Sequence, residues 1–227
     1  MHRLLKETGS IFLQMDYRIS HWVRLILDEI FGDSNFKNEI VWCYSKMNNS
    51  NNSFTNNHDV IFSYGKDTNL TKFNNIYEDI ESALKRRLRR FVSEDNKIYF
   101  KSVKNHSSQL MDNYINSTIN KLGRELEDDD VVIDFKSKDK AKIDDVWYIP
   151  IIKGNSKENV EYDTQKPKEL LKRIVSSSTN KGDTVADFFM GSGTTLVVAK
   201  ELGRNYIGCD INERAVKITK ERLEEIK

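Results

Sequence analysis

Asp187 closes the apolar run Thr184-Val185-Ala186-Asp187-Phe188-Phe189, and Met190-Gly191-Ser192-Gly193 follows at once, leading into a helix-forming stretch. A strand that passes through a glycine turn into a helix offers backbone N–H groups and the positive end of a helix to a nucleotide-like ligand. Asp210, seventeen residues beyond Gly193, ends the next apolar run, where a carboxylate accepts hydrogen bonds from ribose hydroxyls. Thr194, Thr195 and Leu196 occupy the place of a third glycine, and no Gly-Lys-Ser/Thr phosphate loop occurs, so a pyrophosphate cradle is disfavoured. Asp187, just before the turn, is placed to meet an ammonium group instead. The chemistry is that of an adenosine-containing cofactor. A nicotinamide-dependent dehydrogenase is the competing reading of the turn taken by itself.

These residues need a βαβ unit to position them. Pro167 suits the first turn of a helix with Leu170, Leu171, Ile174 and Val175 on one face. The strand ending at Phe189, the turn and a helix from Thr194 to Leu202 follow, closed by Gly203. Asn205 to Asp210 forms the next strand, and Asn212 starts a last helix with Val216, Thr219, Leu223 and Ile226 towards the sheet. Nearer the N-terminus, Ser10 to Met15, Ile40-Val41-Trp42 and His58 to Tyr64 read as strands. Trp22, Val23, Leu25, Ile26, Leu27 and Ile30 mark a helix that stops at Gly32. The fold class is α/β, a Rossmann-like sheet with helices on both faces.

Residues 46 to 57 are an asparagine-rich loop. From 66 to 145 the apolar periodicity weakens, which marks an insert between residues 1–65 and 146–227. Inside the insert, Lys85-Arg86-Arg87-Leu88-Arg89-Arg90 is the densest basic cluster, balanced by Glu125-Leu126-Glu127-Asp128-Asp129-Asp130. The net charge is only +1, so any binding of nucleic acid must come from such local patches. Cys43 and Cys209 lie far apart with no partner at metal-ligand spacing, so no metal is expected. No apolar run approaches the ~18 residues of a membrane span, and a soluble, cytoplasmic chain is expected.

Asp187-Phe188-Phe189-Met190-Gly191-Ser192-Gly193-Thr194-Thr195 resembles the cofactor motif of S-adenosylmethionine-dependent DNA amino-methyltransferases, with Phe188 in place of the usual proline. Tyr162-Asp163-Thr164-Gln165-Lys166-Pro167 is similar to the second cofactor motif of the permuted adenine-N6 class. The resemblance implies S-adenosylmethionine as cofactor, with Thr164 and Lys166 near its methionine end. Asp187 and the turn of Gly191, Ser192, Gly193 and Thr194 would hold the amino acid part, Phe189 would pack on the cofactor, and Asp210 would take the ribose. Residues 1 to 64 resemble the part of the family that follows the catalytic strand.

The family's Asp-Pro-Pro-Tyr-type catalytic motif is absent, because Pro150 and Pro167 are the only prolines. No catalytic residue is therefore assigned, and the chain is expected to be a fragment or one half of a split enzyme needing an N-terminal segment or partner subunit. The resemblance implies methyl transfer to adenine N6 in double-stranded DNA, in a restriction–modification system with its restriction subunit or as a solitary methylase. Cytosine N4 is the related alternative, and a non-catalytic cofactor- or DNA-binding subunit is another. The insert would be the target-recognition region, with Lys85, Arg86, Arg87, Arg89 and Arg90, joined by Lys46 and Lys66, on phosphates. His58, Glu39 and Asp16 read as local structure rather than as a general base.

Overall fold

A computed structural model describes residues 1–46, 52–79, 88–94, 97–102 and 140–226. The chain forms two compact units, Met1–Ile76 with Asp144–Lys227, and Tyr77–Ile143. The expected contacts Lys85, Arg86 and Arg87 lie outside the described residues. Arg89 and Arg90 fall on β5 (Leu88–Glu94), which pairs antiparallel with β6 (Lys97–Ser102) in the smaller unit. There β4 (Tyr77–Asp79) also pairs with β7 (Lys140–Lys142).

The larger unit is α/β, but its strands fall into two groups. In the first, β1 (Ser10–Met15), β2 (Phe36–Cys43), β3 (His58–Gly65) and β8 (Val146–Tyr148) stand in the order β1-β3-β2-β8. The β1–β3 and β3–β2 pairs are antiparallel, and β8 joins β2 in parallel. In the second, β9 (Thr184–Asp187) and β10 (Asn205–Gly208) run parallel, joined by α3 (Thr194–Glu201).

Central β3 is hydrophobic on both sides, as a strand covered on both faces must be. Val60, Phe62 and Tyr64 pack with Leu27 and Phe31 of α1 (Ser20–Phe31), while Ile61 on the opposite side is also buried. The fully buried Tyr64 donates its hydroxyl to Asp28 at 2.5 Å, and Arg24 bonds the same carboxylate while lying 3.5 Å over the Phe36 ring. Gly32, at φ +82°, stops α1 as expected. Of the six apolar residues that mark α1 in the sequence, only Leu27 is buried. Trp22, Leu25, Ile26 and Ile30 are more than half exposed.

In the second group, α3 is buried along most of its length between α2 (Lys168–Ser178) and α4 (Glu213–Glu224). Asn212 caps α4 by accepting the Arg214 N–H. The line that α4 buries is Ala215, Thr219 and Arg222, with Val216, Leu223 and Ile226 on its flanks, a rotation from the expected face. The last carbonyls of α2, which no helical N–H can reach, are met from about a hundred residues away in sequence. Asn74 donates its backbone N–H to the Ser177 carbonyl and its side-chain amide to the carbonyls of Ser176 and Thr179.

Candidate functional site

The turn between β9 and α3 is set by its own polar groups. Asp187 Oδ1 accepts the Phe189 N–H at 3.0 Å, which bends the chain out of the strand two residues before the expected end. Gly191 and Gly193 take φ values of +51° and +73°, a region that costs other residues energy. Gly193 is required twice over. A Cβ there would lie 2.4 Å from both Cγ2 and Oγ1 of Thr219, so α4 passes directly against the turn.

Asp210 holds the turn from the other strand. Its Oδ2 accepts the Gly191 N–H at 2.8 Å and its Oδ1 accepts the Asn212 N–H at 2.9 Å. These bonds, the Asn212 N–H foremost, hold its carboxyl below the usual value. A carboxylate has about four acceptor positions, so these backbone bonds leave capacity for a further hydroxyl donor. Asp187 likewise keeps Oδ2 without a partner among the described residues. Phe189 is 78% exposed and Ile211, beside Asp210, is wholly exposed, so an apolar ring and side chain stand open next to the two acids.

The segment of the second sequence motif meets this turn. Were Gly191 to carry a Cβ, the Tyr162 ring would be 3.3 Å from it, so the aromatic edge lies against the turn. Arg214 Nη2 donates to the Glu161 carbonyl at 2.9 Å and pins this loop to the start of α4. Gln165 fastens it internally, bonding the Val160 N–H and the Glu158 carbonyl. Thr164 is exposed, and its carbonyl accepts the Lys166 ammonium at 2.8 Å. Burial pushes the Lys166 ammonium down from its ordinary value, and Asp59 opposes that shift.

Ser192 and Thr194 are placed differently from the expectation. Both are buried, and their side chains face inward to Arg222. Arg222 Nη1 lies 2.6 Å from the Ser192 carbonyl, 3.3 Å from Ser192 Oγ and 3.1 Å from Thr194 Oγ1. Their hydroxyls and the Ser192 carbonyl tie the turn to α4 through Arg222. Sequence reasoning missed Arg222 and Arg214, and gave Tyr162 a place in the second motif but no role. Arg222 carried a signal, since it shares a helix face with small Ala215 and Thr219, and a long cation there must reach across a close approach. Lys66 is spent on the Leu5 carbonyl at 2.9 Å and on Glu7 at 3.1 Å, while Lys46 contacts the Tyr44 hydroxyl. A separate hollow of about 590 Å³, lined by Cys43, Tyr44, His58, Tyr148 and Pro150 among others, includes none of the turn residues.

The sequence model described as DNA methylase, of the N6/N4 type, matches residues 1–221. Type II methyltransferase M2.DpnII of Streptococcus pneumoniae is 46% identical over 86 residues, 38% of this chain and 32% of that protein. Type II methyltransferase M.HpaI of Haemophilus parainfluenzae is 26% identical over 223 residues, 98% of this chain and 56% of that protein. This chain therefore spans about half or less of the length of the curated relatives it matches. Among solved structures, the M1.HpyAVI–SAM complex superposes with a TM-score of 0.54 at 21% identity, covering 97% of this chain and 76% of the other, so the two share a Rossmann-like fold. With the Tyr162–Pro167 segment folded against the glycine turn and the match running almost end to end, the chain belongs to the N6/N4 DNA methylase family.

Proposed function

We propose that this chain binds S-adenosylmethionine at the Gly191–Thr194 turn and serves the methylation of an exocyclic amine, adenine N6, in double-stranded DNA. The observation that carries the reading is the pairing of two acids at one glycine turn. The Asp210 carboxylate already occupies the Gly191 N–H, the group a phosphate would need, and Asp187 adds a second negative charge. A pyrophosphate meets repulsion there, whereas a ligand with ribose hydroxyls and a cationic amino acid tail meets two acceptors. When bound, S-adenosylmethionine supplies a methyl group activated by its positively charged sulfur. The chain's own part is placement. Asp210 takes the ribose hydroxyls, Asp187 the ammonium, Phe189 lies along the adenine, and Tyr162, Thr164 and Lys166 close the methionine side.

The family supports DNA as the substrate. In this reading residues 1–65 and 146–227 form the methyltransferase domain, and 66–145 is the target-recognition insert, in which Lys85, Arg86, Arg87, Arg89 and Arg90 neutralise phosphates. The type II methyltransferases among its relatives support a place in a restriction–modification system; a restriction subunit as partner and a cytoplasmic location complete the proposed reading. Calorimetric titration with S-adenosylmethionine and with NAD, side by side, tests the assignment. Binding of the first and none of the second is expected; the reverse result overturns it.

A further inference from the structure

Strand register places Val41 and Cys43 of β2 opposite Val146 and Tyr148 of β8, and Cys43 opposite His58 of β3, so these side chains share one face of the sheet. Val60, Phe62 and Tyr64 stand on that same face, packed with Leu27 and Phe31 of α1. Beyond Val60 the packed cluster ends, and Val41, Cys43, His58 and Tyr148 line the hollow of about 590 Å³ instead. Its walls are fixed. Ile149 donates its N–H to the Cys43 carbonyl at 3.1 Å, the Ile149 carbonyl accepts the Trp42 indole at 2.8 Å, and Asp59 accepts the Tyr44 hydroxyl at 3.0 Å.

The hollow offers aromatic surface and unspent polar groups. Tyr148 is 57% exposed, and Phe54, next to the lining residue Thr55, is 98% exposed, so neither ring is held by the core. The Ser45 hydroxyl and the His58 ring make no hydrogen bond among the described residues. Asn57 accepts the Lys46 N–H through Oδ1 and keeps its amide hydrogens. The Lys46 ammonium, beside Ser45, gives one hydrogen to the Tyr44 hydroxyl at 3.2 Å and keeps two. Rings to stack on, mixed donors and acceptors around them and a cation alongside suit an unpaired nucleobase with its phosphate. An apolar peptide or a second copy of this face would bury the same polar groups without partners.

The hollow opens at the cofactor end of the sheet. Gln14, Asp59 and Tyr44 are bonded in series where β1 and β2 end and β3 begins, and Lys166, in the loop against Gly191, is in electrostatic reach of Asp59 and Lys46. Strands β2 and β8 are two and three places from β1, a separation of ~10–14 Å. Lys72 bonds the Thr8 carbonyl before β1 and the Asp183 carboxylate before β9, so the turn with the two acids lies on the β1 side. A base seated in the hollow is therefore not the one that meets the cofactor.

We infer that the hollow among β2, β3 and β8 binds an unpaired DNA base other than the methyl acceptor, stacked on Tyr148, with Ser45, Asn57 and His58 along its edge and Lys46 on its phosphate. Phe54 stands ready to stack on the neighbouring base. The inference rests on the DNA methylation reading for its ligand, since turning one base out of a duplex leaves another without its partner.

Fluorescence anisotropy on the full chain tests it with three labelled DNAs: a paired duplex, the same duplex with one bulged base, and that duplex with the bulged position abasic. The bulged duplex should bind ~10-fold more tightly than the other two. Tyr148→Ala should erase that gain without lowering the melting temperature, and Tyr148→Phe, which keeps the ring, should retain it. The bulged duplex should also slow alkylation of Cys43, resolved by mass spectrometry from that of Cys209, several-fold more than the paired one does. Absence of DNA binding, equal affinity for the three DNAs, a gain that survives Tyr148→Ala, or unchanged Cys43 alkylation overturns the inference. Slowing of Cys43 by chain concentration alone also overturns it, by identifying a second copy as the occupant. S-adenosylmethionine titration of the same sample separates the two claims. Preference for the bulged duplex without cofactor binding keeps the base site and removes the methyltransferase reading, whereas cofactor binding without that preference removes the base site alone.

Discussion

Replacing Gly193 with alanine probes the contact on which the cofactor turn depends. The residue sits at φ +73°, where a side chain costs about 1–2 kcal/mol. Its new Cβ would also lie 2.4 Å from Thr219 Cγ2 and Oγ1 and 2.8 Å from Thr219 Cβ, in a place with no space to yield. Overpacking of this kind costs about 1–3 kcal/mol. A combined loss near ~3 kcal/mol lowers the melting temperature by roughly 6–12 °C for a unit of this size. Because the turn itself must shift, S-adenosylmethionine affinity should also fall about tenfold or more, equal to about 1.4 kcal/mol. Thr219→Ala in the same chain removes Cγ2 and Oγ1 but leaves Cβ, so it should recover part of the packing cost and none of the backbone cost. Thermal melts of both single variants and the double variant should give a coupling of about 1 kcal/mol. A Gly193→Ala variant that melts with the parent, or losses that simply add, would refute the reasoning.

Phe189→Ala should leave stability within about 0.5 kcal/mol, since the ring is 78% exposed, yet weaken S-adenosylmethionine binding several-fold by calorimetry. Asp210→Asn loses the charge and one of the acceptors now serving Gly191 and Asn212, and calorimetry should register at least about a tenfold loss of affinity. Arg222→Met leaves the Ser192 carbonyl and Thr194 hydroxyl without their donor in a buried place; denaturant unfolding should report a loss of about 1–3 kcal/mol, with Arg222→Lys failing to restore it in full. Asp183 is held below its ordinary value of 3.8, first by the Asn180 N–H and then by Lys72. A depressed carboxyl stabilises the fold above the unfolded value and loses that contribution as pH falls through the folded one. Melting curves of the parent and Lys72→Met should therefore differ above pH 3.8 and converge below it.

The cofactor turn was legible because its determinants are local. Glycine spacing, an acid at each strand end and an asparagine cap all act within a few residues, and the sequence shows them in order. The second motif was legible only through resemblance, since nothing within Tyr162 to Lys166 says that the loop will lie against Gly191. The inward orientation of Ser192 and Thr194 was hidden because it depends on Arg222, thirty residues on. The division of the strands was hidden for the same reason. Ser10–Met15 has the composition of an interior strand, and only the register against Val60–Gly65 shows which of its edges is used. In α1 the apolar residues run round much of the helix, so periodicity could mark a helix but not separate the covered Leu27 and Phe31 from the uncovered Trp22 and Ile30.

The stretch that includes Asn74 leads directly into the smaller unit, and the returning chain is caught at once by β8 on β2 and by the Trp42 indole on the Ile149 carbonyl. Both junctions are thus fixed within the larger unit by bonds among its own residues. A different sequence joined between the same two anchor points would leave those bonds in place, so the stretch between them can change in length and composition without loosening either anchor.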